Sequence, residues 1–224
     1  MIYHLPNLLP PDAVAKVRQM VEGSDFVDGM QTAGGSVALA KRNEELSAGS
    51  DTARAINDEI KGHLARSNDF QVIALPRALS NLLVSRYTPG MHYGDHTDNA
   101  ILGGRMRSDM SLTIFLKNPD DYDGGELALN TDIRPERYKL PAGHCVLYPT
   151  YLLHRVEPVT RGERMVAVGW VQSMVRDPFR RQTLVDVAMT LSYFLNTTAE
   201  KHQHPEYLRL DKVYNNLKRQ WVEM

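Results

Sequence analysis

Short β-prone runs fill the middle of this 224-residue chain, between residues 70 and 171. Glycine, proline, asparagine and aspartate separate these runs, as is typical of strands joined by turns. The predicted strands are 70–75, 81–87, 93–96, 110–116, 126–130, 138–140, 144–148, 154–156 and 164–171. Many short strands at close spacing indicate an antiparallel sandwich or barrel rather than an alternating β–α–β sheet.

Helices are predicted on both sides of this β-rich region, where apolar residues recur at helical spacing. The predicted helices are 10–22, one that begins with an N-cap at Ser50 or Asp51, 178–196 and 205–223. The last two form a C-terminal helical pair, which must bury its apolar stripe on the β-core or on a second subunit. Glycines interrupt residues 25–42, which are predicted to hold short β-prone pieces around Phe26 and Val37.

Composition matches a globular protein with a real core, since 42% of the residues are hydrophobic and 24% are charged. A formal net charge of −1 provides no basic footprint, so no nucleic-acid partner is predicted. No apolar run approaches the ~20 residues that span a bilayer. No secretion signal is recognisable at the first residues, so no membrane partner is predicted. The single cysteine, Cys145, fits a reducing compartment, and we expect a cytoplasmic protein.

One stretch concentrates side chains that can bind metal: His92-Tyr-Gly-Asp-His-Thr-Asp98. Side chains alternate between the faces of an extended strand, so His96 and Asp98 are predicted to share a face. Asp95 would point the other way, and His92 is predicted to lie beside the ligands rather than among them. Two ligands hold a divalent metal poorly, so a third is expected from elsewhere in the chain.

His154 and Arg164 supply what this stretch lacks. His154 follows His96 by 58 residues, and Arg164 comes ten residues later, at the start of an apolar strand. Two histidines and one carboxylate form the facial triad of non-haem Fe(II) sites, which leaves coordination positions open. Zinc also uses such donors and stays an alternative. The planar guanidinium of Arg164 can bind a carboxylate through two hydrogen bonds and stays charged when buried.

At these positions the chain resembles a known family. The run Arg86-Tyr-Thr-Pro-Gly-Met-His-Tyr-Gly-Asp-His-Thr-Asp98, the turn Gly124-Gly-Glu126, and His154 with Arg164 are similar to Fe(II)- and 2-oxoglutarate-dependent dioxygenases. Within them, the chain is most similar to the prolyl 4-hydroxylase-like branch and its bacterial PKHD-type hydroxylases. A lone His-x-Asp is common by chance, whereas His-x-Asp with a distant histidine and an arginine ten residues later is specific.

The resemblance implies a mainly β fold with flanking helices, built on a double-stranded β-helix or jelly roll. Residues 1–77 would support the core with helices and strands. Residues 78–175 would form the Fe(II)/2-oxoglutarate dioxygenase domain, and 176–224 a C-terminal helical extension.

The resemblance also implies roles for individual residues. His96, Asp98 and His154 would bind Fe(II), and Arg164 the distal carboxylate of 2-oxoglutarate. Apart from the resemblance, Tyr87 precedes the motif and is a candidate contact to this cosubstrate, with a buried aromatic of the sheet as the alternative. L-ascorbate would serve as iron reductant. The enzyme would consume 2-oxoglutarate and O2, release succinate and CO2, and hydroxylate an unactivated C–H bond. The substrate stays open between peptidyl proline, another amino-acid side chain and a small metabolite. Many collagen-type prolyl hydroxylases carry a lysine in place of Arg164, so an identical substrate is not implied.

Other readings of the same residues stay open. A metal-binding jelly roll that senses or scaffolds without turnover would use the C-terminal helices as a partner interface, although it has little need for Arg164. A zinc hydrolase is a third possibility, and self-association through the C-terminal helices is also expected. Tyr93 is an alternative to Tyr87. Structural positions are predicted for His144 and Cys145, and solvated loops for His202, His204 and residues 118–125.

Overall fold

The computed structural model describes residues 1–32 and 41–223, in which two antiparallel sheets form the centre. The strands of the larger sheet are β1 (Tyr3–Leu5), β2 (Phe26–Asp28), β4 (Glu44–Leu46), β5 (Pro76–Leu79), β6 (Leu83–Tyr87), β10 (Met110–Phe115), β14 (Cys145–Pro149) and β17 (Arg164–Ser173). The strands of the smaller sheet are β3 (Lys41–Arg42), β7 (His92–His96), β12 (Leu127–Asn130), β13 (Pro135–Tyr138) and β15 (His154–Val156). Two further pairs are β8 (Ile101–Leu102) with β9 (Met106–Arg107), and β11 (Tyr122–Gly124) with β16 (Val159–Gly162).

From β6 onwards the chain passes repeatedly between the two sheets. Strands β6, β10, β14 and β17 lie in the larger sheet, whereas β7, β12 and β15, which come between them in sequence, lie in the smaller one. The order of the larger sheet is β1-β14-β10-β17-β6-β4-β2, and that of the smaller is β13-β12-β15-β7-β3. This alternation winds the chain into a double-stranded β-helix, which confirms the predicted jelly roll.

Strand β10 shows how the sequence divides the two sides of the larger sheet. Met110, Leu112 and Ile114 belong to the main apolar cluster, which also contains residues of the N-terminal helices. Because side chains alternate along a strand, Ser111 and Phe115 point to the opposite side, towards the smaller sheet. Phe115 packs there in a second apolar cluster with residues of β12. The site described below lies between the sheets, at the level of Ser111.

Five α-helices of the described residues flank the sheets. They are α1 (Pro11–Val21), α2 (Asp51–Arg66), α3 (Asn68–Ala74), α4 (Pro178–Thr197) and α5 (Pro205–Trp221). The Ser50 side chain accepts a hydrogen bond from the Ala53 amide and caps α2, in agreement with the prediction. The piece around Phe26 is β2, whereas Val37 lies outside the described residues.

The strand predicted at 70–75 is wrong, since these residues belong to helix α3. Ser67 caps this helix by accepting a hydrogen bond from the Phe70 amide, and Leu75 ends it in the left-handed conformation at φ 43°. Phe70 and Ala74, one helical turn apart, are both buried. A short apolar run does not distinguish a strand from a buried helix by itself, and here the cap at Ser67 decides.

Two further predictions need correction in detail. The strand expected at 138–140 is β13, which ends at Tyr138. Residues 118–125 are not simply a solvated loop, because Tyr122 is fully buried and its strand pairs with β16. The burial of Tyr122 depends on residues distant in sequence. Strand β16 immediately precedes the strand of Arg164, and the side chains of Tyr122 and Arg164 both lie beside Gly125.

The C-terminal helical pair is confirmed as α4 and α5. Leu184 of α4 is buried in a cluster with Leu75 and Val175, and Tyr214, Leu217, Trp221 and Val222 pack against this cluster from the C-terminal end. Part of the apolar stripe of the pair is therefore covered by its own chain.

Candidate active site

His96 and His154 lie opposite each other on neighbouring strands of the smaller sheet. Their Cα atoms are register partners, and the next pair joins Val156 to Tyr93. Between these two pairs the chain advances by three residues in β7 but by only two in β15, which is the geometry of a β-bulge. The bulge brings Tyr93 and His96 onto the same side of β7, and their rings stack with centroids 3.6 Å apart.

Asp98 meets the two histidines from the segment just after β7. The metal-binding atoms of His96, Asp98 and His154 all lie within 4.8 Å of one another. One carboxylate oxygen is 3.8 Å from His96 Nε2, and the other is 3.7 Å from His154 Nε2. The alternation predicted for a continuous strand is wrong in detail, because β7 ends at His96. The convergence of His96 with Asp98 nevertheless holds.

Backbone carbonyls fix the orientation of both imidazole rings. His96 Nδ1 lies 2.8 Å from the Gly94 oxygen, and His154 Nδ1 lies 2.9 Å from the Leu152 oxygen. A carbonyl only accepts hydrogen bonds, so each Nδ1 carries a proton, and the lone pair of each ring in its neutral form lies on Nε2. Burial, followed by the neighbouring His154, lowers the pKa of His96. Both Nε2 atoms are thus prepared to bind a cation beside Asp98.

Arg164 lies on the central strand β17, in register with Tyr87 of β6. It is only 1% exposed, and its Nε and Nη1 atoms are buried without a hydrogen-bond partner among the described residues. Its guanidinium carbon is 4.9 Å from the ring centre of Tyr87 and 5.9 Å from that of Phe115. Burial raises the pKa of Tyr87 to about 12, so this residue stays a neutral phenol.

A cavity between the sheets joins these groups. His96, Asp98, His154, Tyr87 and Arg164 all line it, and its volume is about 210 Å³. A single water needs only ~10–15 Å³ of such a volume. The cavity therefore has room for a small organic acid beside a metal ion.

Comparison with known proteins assigns the chain to a family. Residues 82–172 match the family model described as the 2OG-Fe(II) oxygenase superfamily. A PKHD-type hydroxylase of Picosynechococcus is 41% identical over the full length of both chains, and one of Burkholderia thailandensis is 44% identical, also over both full lengths. The chain belongs to the PKHD-type hydroxylases. It is thus an enzyme, a dioxygenase of a superfamily that uses Fe(II) and 2-oxoglutarate.

Solved structures share the fold of this PKHD-type hydroxylase. A prolyl-4-hydroxylase of Pseudomonas putida superposes with a TM-score of 0.52 at 19% identity, and covers 77% of this chain and 92% of its own. A prolyl hydroxylase of Trichoplax adhaerens gives 0.57 at 16% identity, with 82% of this chain and 86% of its own covered. At these identities the likeness concerns the fold alone.

The remaining candidates lie away from the triad. His92 is on β7, but its ring lies near the Gly90 oxygen at 3.4 Å, and it does not join the cluster of metal-binding atoms. Asp95 is exposed and pairs with Arg155 at 3.3 Å. His202 and His204 both precede α5, and His204 caps this helix instead of lying in a solvated loop. None of these four residues belongs to the metal-binding cluster found among the described residues.

Cys145 and His144 belong to the strand region of β14. The Cys145 thiol is fully buried, as expected. His144 is half-buried and stacks on His4, with 2.9 Å between their ring nitrogens.

Sequence reasoning missed the residue that contacts Asp98. Ser111 Oγ lies 2.6 Å from Asp98 Oδ2 and 3.2 Å from Thr150 Oγ1. The available signal is the alternation Met-Ser-Leu-Thr-Ile-Phe of β10, in which hydroxyl side chains interrupt an apolar strand.

In the described part of the chain, no helix has the length and apolar character needed to cross a membrane.

Proposed function

We propose that this PKHD-type hydroxylase binds Fe(II) through His96, Asp98 and His154 and 2-oxoglutarate through Arg164, and that it hydroxylates an amino-acid side chain, with peptidyl proline as the first candidate. The relatives at 41–44% identity are PKHD-type hydroxylases, and solved prolyl hydroxylases share the fold. Succinate and CO2 are the expected co-products, and L-ascorbate the expected reductant that keeps the iron in its ferrous form.

The donor set supports the iron. Two imidazole nitrogens and one carboxylate match the facial triad of non-haem Fe(II) sites, which leaves positions for further ligands. Each histidine is held by a backbone carbonyl on its other nitrogen, which is the arrangement usual for metal-binding histidines. When bound, the iron supplies the oxygen activation that couples decarboxylation of 2-oxoglutarate to hydroxylation of a C–H bond.

The observation that carries the proposal is the buried guanidinium of Arg164, whose Nε and Nη1 find no partner among the described residues. A buried guanidinium with two unsatisfied nitrogens costs considerable free energy unless an anion joins it. A planar carboxylate satisfies two such donors at once. Because Arg164 and the triad line one cavity, a dicarboxylate can reach both, with its distal carboxylate on Arg164. We place Tyr87 beside this carboxylate, since its ring already lies against the guanidinium.

The protein contributes position and exclusion of water. His96 and His154 are 6% and 4% exposed, so both imidazoles are largely shielded from bulk solvent. Tyr93 covers one face of the His96 ring, and Tyr148 meets His154 edge-on at 5.2 Å. These aromatic contacts hold both imidazoles in place while reactants enter.

Three features of the wider molecule belong to the same proposal. Residues 78–175 act as the dioxygenase domain, supported by 1–77 and extended by 176–224. Self-association would use the exposed apolar side chains Met189 and Tyr193 of α4, with Leu208 and Val213 of α5. We place the protein in the cytoplasm.

The test is succinate formation from 2-oxoglutarate in the presence of Fe(II), O2 and ascorbate. Wild type should release succinate and His96→Ala should not, since two remaining ligands hold iron poorly. His92→Ala is the matched control, because His92 lies on the same strand but outside the metal-binding cluster. Equal succinate from wild type and His96→Ala would contradict the proposal. Peptide substrates are then sought among cell-extract fractions, by mass spectrometry for the gain of one oxygen atom.

A further inference from the structure

Asp98 differs from the two histidines in how its backbone is held. His96 belongs to β7 and His154 to β15, and the ladder between these strands fixes both. Asp98 lies beyond the end of β7, in a segment without strand hydrogen bonds. Its carboxylate therefore needs another anchor if it is to keep its position between the imidazoles.

That anchor comes from the larger sheet. Ser111 on β10 is fully buried, and its Oγ lies 2.6 Å from Asp98 Oδ2. A carboxylate only accepts, so the Ser111 hydroxyl donates its single hydrogen to Asp98. The Thr150 hydroxyl, 3.2 Å from Ser111 Oγ, must then donate to Ser111. The chain of donors runs from Thr150 through Ser111 to Asp98.

This chain of hydrogen bonds reaches only one oxygen of the Asp98 carboxylate, Oδ2. Asp98 Oδ1 accepts no hydrogen bond from the described residues and lies 3.8 Å from His96 Nε2. Buried polar groups that orient a metal ligand commonly change metal affinity by ~10–100-fold when they are removed. Ser111 thereby links β10 of the larger sheet to the ligand that follows β7 of the smaller sheet.

We propose that Ser111 is a positioning residue for the metal site, which together with Thr150 fixes the Asp98 carboxylate between His96 and His154. This inference rests on the proposed function, in that it takes the triad to be the metal site.

The experiment measures Mn(II) binding to the full chain by calorimetry, without 2-oxoglutarate or turnover. Ser111→Ala should weaken Mn(II) binding by about tenfold or more, with unchanged circular dichroism. Ser173→Ala is the matched control. Ser173 is also fully buried in the larger sheet, but its hydroxyl donates to the Leu75 carbonyl instead of Asp98. It should bind Mn(II) like wild type.

If Ser111→Ala fails to fold, a second pair of variants tests the hydrogen bonds from Thr150 through Ser111 to Asp98. Thr150→Val removes the hydroxyl and should weaken Mn(II) binding, whereas Thr150→Ser keeps a donor and should restore it. A purely structural role would lower the melting temperature without this split in affinity. Wild-type affinity in Ser111→Ala, or equal affinity in Thr150→Val and Thr150→Ser, overturns the inference. Absence of Mn(II) binding in wild type would instead contradict the proposed function, and the inference would fall with it.

Discussion

His154 lies directly opposite His96 across the antiparallel pair β15–β7, with their ring centroids 4.2 Å apart. Residues 58 positions apart in sequence are thereby fixed by one strand ladder. The ladder explains why the two imidazoles do not depend on a loop for their position. Each retains a free Nε2 because a carbonyl engages its Nδ1.

Arg164→Met should abolish 2-oxoglutarate binding without loss of stability. The substitution removes a buried charge whose Nε and Nη1 lack partners among the described residues, and such replacements are often neutral or stabilising by ~1–4 kcal/mol. Thermal unfolding with Mn(II) measures both effects. Wild type should gain about 2.7 kcal/mol when 2-oxoglutarate is present at a hundred times its Kd, and Arg164→Met should gain nothing.

Arg86→Met provides the control for that experiment. Arg86 lies on the same strand as Tyr87, but its guanidinium pairs with Glu44 at 2.7 Å. Its loss should lower stability by about 1 kcal/mol or less and leave the response to 2-oxoglutarate intact. An Arg164→Met protein that 2-oxoglutarate still stabilises would show that the cosubstrate binds elsewhere.

Gly125→Ala should raise the KM for 2-oxoglutarate. A Cβ at this position would lie 3.0 Å from Arg164 Cδ and 2.9 Å from Val159 Cγ2, so the arginine must shift. Displacement by a fraction of an ångström is expected to weaken a two-point carboxylate contact about tenfold. Initial rates of succinate release at varied 2-oxoglutarate give the KM.

Gly103→Ala separates backbone strain from this contact. Gly103 and Gly125 both have positive φ, at +54° and +68°, but a Cβ on Gly103 meets nothing within 4 Å. Both alanines should cost roughly 1–2 kcal/mol through the left-handed backbone, whereas only Gly125→Ala should change the KM. A similar KM in the two variants would argue against Gly125 as the support of Arg164.

The Cys145 thiol should not react in the folded protein. It is fully buried in β14, and burial raises its pKa, so thiolate is scarce at neutral pH. A chromogenic disulfide reagent should label less than a tenth of the thiol in native protein over an hour and about one thiol per chain in denaturant. Fast labelling of the native protein would show that β14 opens readily or is placed differently.

Periodicity predicted most of the fold because local pattern and tertiary environment agree. The helices α1, α2, α4 and α5 each carry apolar residues at helical spacing, and β10 and β17 are mainly apolar strands buried between layers. Helix α3 was not predicted, because its seven residues are too few to show a helical repeat of apolar positions. Tyr122 was misplaced because its burial depends on β16 and Arg164, which are remote in sequence.

The candidate site was predictable as a set of residues but not as a geometry. The types and order of His96, Asp98, His154 and Arg164 suffice to select them. The bulge that places Tyr93 against His96 depends on pairing between β7 and β15, which no local pattern encodes. Ser111 was missed for the same reason, since its contact with Asp98 spans the two sheets.

The most direct test of the account is the stoichiometry of Fe(II) binding without oxygen. Calorimetric titration should give one Fe(II) per wild-type chain. Removal of any one of His96, Asp98 and His154 by alanine should weaken binding by more than the ~10–100-fold that is typical when a residue orienting a ligand is lost, whereas His92→Ala should match wild type. The variant His154→Ala matters most, because that ligand comes from a distant strand. Wild-type affinity for Fe(II) in His154→Ala would contradict the claim that the two strands build one metal site.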